Sequence, residues 1–92
     1  MVSFQWDARK AKANLAKHGV SFEEAEEAFR DPLALELLDD RFAYGEARYV
    51  LIAMVRGRCL TVVHTERDEV HRLISARLST KAEQDAYFEA QN

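Results

Sequence analysis

His64 stands at the end of an apolar run and is followed by Arg67 and Arg77, while Lys17, His18 and Tyr49 lie upstream. A histidine, arginines, a lysine and a tyrosine without a carboxylate cluster would suit metal-free cleavage of RNA. In that reaction the ribose 2′-hydroxyl attacks its own phosphate. The site then needs a proton acceptor, cations for the charge building on phosphorus, and a proton donor for the leaving 5′-oxygen. His64 titrates in the useful range and suits either proton role; Arg67, Arg77 and Lys17 suit phosphate oxygens, arginine bidentately. Trp6 or Tyr49 would stack on a base. Each residue also has a plain structural use. His64 and His71 form an ordinary cross-strand pair, His18 complements a helix C-terminus, Trp6 anchors a core, and Arg72 serves an internal ion pair.

The elements that must hold these residues are marked by capping residues. Asp7 is a helix N-cap and Gly19 a stop, closed by the apolar Val20. Ser21 with Glu24 forms a capping box that opens a second helix to residue 30, where Asp31-Pro32 ends it. Within the first helix Lys10, Asn14 and Lys17 share a polar stripe, and Ala8, Ala11 and Leu15 are expected to be buried. Ser3 to Trp6 reads as a short strand, and Leu33 to Leu38 as another, followed by a polar connection through Asp39-Asp40 to Gly45. Arg48 to Val55, Cys59 to Thr65 and Val70 to Leu78 make an antiparallel meander, the first of these strands covered on both sides. Thr80 with Glu83 caps a final helix to about Glu89.

If both hairpins turn through two or four residues, Arg48, Val50, Ile52, Met54, Cys59, Thr61, Val63, Val70, Arg72, Ile74 and Ala76 share one face. That face is expected to receive the first two helices. The other carries Tyr49, Arg58, His64, His71 and Arg77 among apolar residues, and is expected to meet RNA together with the Lys17 end of the first helix. The expected fold class is α+β in a single domain, residues 1–92: a short N-terminal strand, two helices, the meander and a C-terminal helix.

Net charge is −3 over 92 residues, which argues against a phosphate-binding partner until the charges are located. Residues 1–20 carry four cations against Asp7, and residues 47–78 carry six arginines against three carboxylates. Residues 21–46 hold nine carboxylates against Arg30 and Arg41. A basic helix and a basic sheet therefore share one positive surface, with the acids segregated elsewhere. Solvated faces with no partner are the plain alternative. Cys59 is alone, which excludes an internal disulfide and suits a reducing cytoplasm. No apolar run approaches the ~20 residues of a membrane span, and no secretory signal is read at the N-terminus. The three histidines and the cysteine lack close ligand spacing, so no metal or cofactor is expected.

The chain resembles the BrnT toxins, the ribonuclease partners of bacterial BrnT/BrnA type II toxin–antitoxin systems. The matching residues are Phe4-x-Trp6-Asp7-x-x-Lys10-x-x-x-Asn14-x-x-Lys17-His18-Gly19-Val20-Ser21-Phe22-Glu23-Glu24-Ala25, then Asp31-Pro32, Gly45-Glu46-x-Arg48, Val62-Val63-His64-Thr65-Glu66-Arg67 and Ile74-Ser75-Ala76-Arg77. The resemblance implies a RelE-like microbial ribonuclease fold, growth arrest through RNA cleavage, and neutralisation by a ribbon-helix-helix antitoxin, BrnA-like, through which alone DNA would be contacted. The residues expected to be catalytic are His64, Arg67, Arg77, Lys17 and His18; those expected to bind RNA are Lys10, Asn14, Trp6, Tyr49 and Arg58. Two alternatives stand beside this reading: a non-catalytic protein-binding module acting as co-repressor with the antitoxin, and a stand-alone structural domain.

Overall fold

Capping residues set the helices where the sequence places them. A computed structural model describes residues 3–39 and 47–92. Helix α1, Ala8–His18, begins where the Asp7 carboxylate accepts the Arg9 and Lys10 amides, and ends at Gly19 with φ +69°, a left-handed turn that suits glycine. Helix α2, Phe22–Ala28, opens on the reciprocal Ser21–Glu24 capping box; α3, Lys81–Glu89, opens on the same device between Thr80 and Glu83.

The strands are β1 (Ser3–Gln5), β2 (Leu35–Asp39), β3 (Arg48–Val55), β4 (Arg58–Arg67) and β5 (Val70–Leu78), in one sheet of order β1-β5-β4-β3-β2. All pairings are antiparallel except β1 with β5, so the meander acquires a strand on each edge. Both hairpins turn through two residues with positive φ, Arg56-Gly57 and Asp68-Glu69, the geometry that matches the twist of paired strands. The expected link through Asp40 to Gly45, and the Gly45-Glu46 part of the motif, lie outside the described residues.

The register makes one correction to the sequence reading. Helices α1 and α2 lie on the face bearing Leu51, Ala53, Val55, Leu60, Val62 and Leu73, which form the core with Val20, Phe22, Ala25 and Ala28. This is the His64 face, opposite to the one expected to receive them. Both faces of the meander are apolar, so alternation alone could not decide which one the helices cover.

A bulge makes the second correction. Val63 pairs with Ser75 but His64 pairs with Leu73, leaving Ile74 as an extra residue in β5. An extra residue inverts side-chain parity beyond it. Ala76 therefore turns into the core, and Arg77 turns to the face opposite His64.

The remaining sheet backbone is finished by side chains. β1 covers only residues 70–72 of β5, and beyond them the Asn14 amide replaces a strand. Its Nδ2 donates to the Ala76 carbonyl at 2.7 Å and to the Val20 carbonyl at 3.0 Å, and its Oδ1 accepts the Ala76 amide at 3.1 Å. Asn14 is thus buried and Leu15 is 49% exposed, the reverse of the expected stripe. At the other edge β2 ends opposite Ile52, and Asp31 takes over. Its carboxylate accepts from the Met54 amide at 2.9 Å and the Tyr87 hydroxyl at 2.6 Å, joining α2, β3 and α3.

Candidate nucleic-acid interface

Ion pairing commits three of the meander's arginines to carboxylates of the helices. Arg56 is held by Glu27 at 2.5 Å, Arg58 by Glu24, and Arg77 bidentately by Glu83 at 2.7 and 2.9 Å. Glu83 is pulled down to about 2, mainly by its hydrogen bond from Arg77, against burial that pushes it up. These three arginines tie α2 and α3 to the sheet. The other three of the meander, Arg48, Arg67 and Arg72, gather with Lys10 of α1 around one groove of about 520 Å³. Gln5, Thr65, Asp68, Val70 and Ile74 complete its lining. Arg67 lies 4.0 Å from Asp68, both almost fully exposed, a pair of little energetic weight.

The groove opens on the sheet face away from α1 and α2. Arg72 is placed there by its pairing with Thr65, and Arg67 by its pairing with Val70. Arg48 sits at the start of β3, opposite Asp39 of β2. Four cations and one carboxylate line the groove, and Asp39 stands opposite Arg48 at its edge. Such a groove can hold several phosphates of a single strand and stabilise charge that builds on phosphorus.

The sequence candidates fall into two groups in space. Lys10 and Arg67 line the groove. His64 does not: it is 0% exposed on the opposite face, with its ring edge-on to Phe29 at 4.9 Å and stacked on Tyr49 at 5.6 Å. Burial, reinforced by the neighbouring His71, lowers its pKa to about 4, so it is neutral at pH 7. Tyr49 is committed to that stack. Trp6 packs edge-on against Phe22 at 5.9 Å, Asn14 is the sheet clamp, and Arg58 and Arg77 are the ion-pair members above. Lys17 and His18 occupy the last turn of α1, away from the groove.

The sequence reading missed Arg48 and Arg72 as site residues. The signal was present, since the pairing already put both on one face, and two arginines on a supposed core face mark that face as open.

The fold is a small α+β domain with a basic groove on one side of its sheet, and comparison gives the family. The sequence profile of the "Ribonuclease toxin, BrnT, of type II toxin-antitoxin system" matches residues 6–83 of the 92. The chain belongs to the BrnT family of ribonuclease toxins, whose members work with an antitoxin partner. No curated protein sequence matches it. Among the described residues no helix is long and apolar enough to cross a membrane.

Proposed function

We propose that this chain is an active endoribonuclease of the cytoplasm that cleaves RNA without a catalytic metal, arrests growth, and is neutralised by a ribbon-helix-helix antitoxin. The observation that carries the reading is the convergence of Lys10, Arg48, Arg67 and Arg72 on one groove from α1, β3, β4 and β5. The guanidinium groups bind the scissile phosphate and offset the charge that develops as the 2′-hydroxyl attacks. As the 2′-oxygen bonds to phosphorus its proton passes to water, the P–O5′ bond breaks, and the Lys10 ammonium, which lines the groove, donates a proton to the leaving 5′-oxygen, leaving a 2′,3′-cyclic phosphate. His64 has no part in this step because it is sealed on the other side of the sheet. Its place, and that of Arg77, is in the frame.

The test is induced expression of the wild type beside Arg67→Ala/Arg72→Ala and His71→Ala, with growth and total RNA followed and folding checked by circular dichroism. Arrest and RNA loss with the wild type and His71→Ala, abolished in the groove variant, are expected. A folded groove variant that still degrades RNA would remove the groove from the mechanism. Binding of a 2′-deoxy oligonucleotide analogue should also weaken steeply with salt, and loss of two phosphate contacts should reduce the logarithmic slope by about 1.4.

A second reading, a protein-binding module that represses with its antitoxin, is favoured by a different surface. Leu37, Leu38, Val50, Ile52, Val63, Ala82 and Ala86 line an apolar groove beside α3, with Leu37 47% and Leu38 59% exposed on the edge strand. Apolar area of this kind is what a protein partner covers. RNA left intact by a folded wild-type chain that still binds its antitoxin would support this reading.

A further inference from the structure

The helix-packed face of the sheet holds a group of side chains that the ribonuclease reading does not use. His64 and Glu66 of β4 and His71 of β5 each bring one ligand atom within 4.8 Å of the other two. Glu66 Oε1 is the centre of the group, 3.2 Å from His71 Nδ1 and 3.9 Å from His64 Nδ1. The sequence conceals this arrangement because hairpin register, rather than close spacing along the chain, brings His71 opposite Glu66.

Three ring nitrogens here have no hydrogen-bond partner: both nitrogens of His64, and Nδ1 of His71. A buried orphan nitrogen is costly in a native fold and calls for a missing partner. Neutral imidazole is the form that ligates metal. On the far side of the ring, His64 Nε2 lies 3.3 Å from Glu36 Oε1 of β2, without hydrogen-bond geometry at present. A carboxylate on the second nitrogen is the usual device that turns the first toward a metal.

We propose that His64, Glu66 and His71 form a site for a divalent transition cation, Zn²⁺ being the ion whose chemistry fits two imidazoles and one carboxylate. With ligand bonds of about 2.0–2.1 Å, tetrahedral zinc holds its ligand atoms about 3.3 Å apart, so the three atoms need to close by at most ~1.5 Å. Glu66 is partly exposed and gives the ion a way in, and water completes the coordination. The basic groove lies across the sheet, so the ion acts as a fastener joining β4 to β5. It also orders Glu36 of β2 through His64.

The experiment titrates chelator-stripped protein with Zn²⁺ alone, by calorimetry and by thermal unfolding, for the wild type, Glu66→Gln, His71→Ala and His18→Ala. Expected are one equivalent bound by the wild type with a raised thermal midpoint, the same behaviour in His18→Ala, and at least tenfold weaker binding in the other two. Glu66→Gln changes a partly exposed side chain at constant size, which keeps the test valid if His71→Ala fails to fold. No stoichiometric binding by the wild type, or equal binding by wild type and Glu66→Gln, would overturn the proposal. Co²⁺ absorption gives an independent readout: tetrahedral bands are expected in the wild type and not in Glu66→Gln.

Discussion

Replacing Asn14 by alanine separates a frame residue from an RNA-binding one. The side chain makes three hydrogen bonds, at 2.7, 3.0 and 3.1 Å, two of them to the same residue of β5, Ala76. At about 1 kcal/mol net for each bond, their loss removes about 3 kcal/mol. The Ala76 amide would then be buried without an acceptor, which adds about 1–3 kcal/mol unless water enters. A total of about 3–6 kcal/mol is a large share of the 5–15 kcal/mol that holds a domain together. For a domain of this length 1 kcal/mol moves the thermal midpoint by roughly 4–8 °C, so the expected fall is at least about 12 °C. Thermal unfolding by circular dichroism measures it, and oligonucleotide binding well below the midpoint should stay within about twofold of wild type. A fall under about 4 °C would refute the clamp, and lost RNA affinity at unchanged stability would return Asn14 to the binding surface.

Two acid-titration experiments follow from the buried groups. His64 in the folded chain is lowered from 6.5 to about 4, so the unfolded chain takes up its proton first. In the metal-free protein, stability should therefore fall as pH drops from about 6.5 toward 4. His64→Phe should flatten that limb in urea titrations at pH 6 and 5, and an unchanged slope would count against a buried neutral imidazole. Glu83 falls from 4.5 to about 2, so its contribution is full above pH 4.5 and is lost between there and pH 2. Glu83→Gln should cost about 1–3 kcal/mol at pH 7 and leave a shallower acid limb, as seen by chemical unfolding across that range.

Capping was legible from local chemistry because each cap closes within a few residues. Asp7, Gly19, the Ser21–Glu24 box and the Thr80–Glu83 box all stand where the sequence puts them. The tight turn at Arg56-Gly57 was also legible, whereas the second hairpin turns at Asp68-Glu69 because β4 runs to Arg67 rather than ending at Thr65. The choice of covered face was not, because Leu51, Ile52 and Ala53 are buried consecutively and both sides of β3 look like core. The bulge at Ile74 was equally hidden, as nothing local distinguishes Leu73-Ile74-Ser75 from a regular strand. Those two long-range facts moved Arg77 away from His64 and left the candidate groove to arginines that had been given to the core.

The charge of the whole chain misleads for a related reason. A net charge of −3 averages over residues that the fold sorts by task. Glu24, Glu27 and Glu83 are spent on Arg58, Arg56 and Arg77, and those pairs attach helices to the sheet. Lys10, Arg48, Arg67 and Arg72 line the groove with Asp68, and Asp39 stands opposite Arg48. A strand of RNA interacts strongly only with charges inside a Debye length, about 8 Å at physiological salt, so it senses the lining far more than the remote carboxylates of α2. The acidic average is thus compatible with a phosphate-binding site. It also implies a local rather than global attraction: removing groove arginines should weaken RNA binding far more than removing Arg56 or Arg58, although each substitution changes the net charge by the same amount.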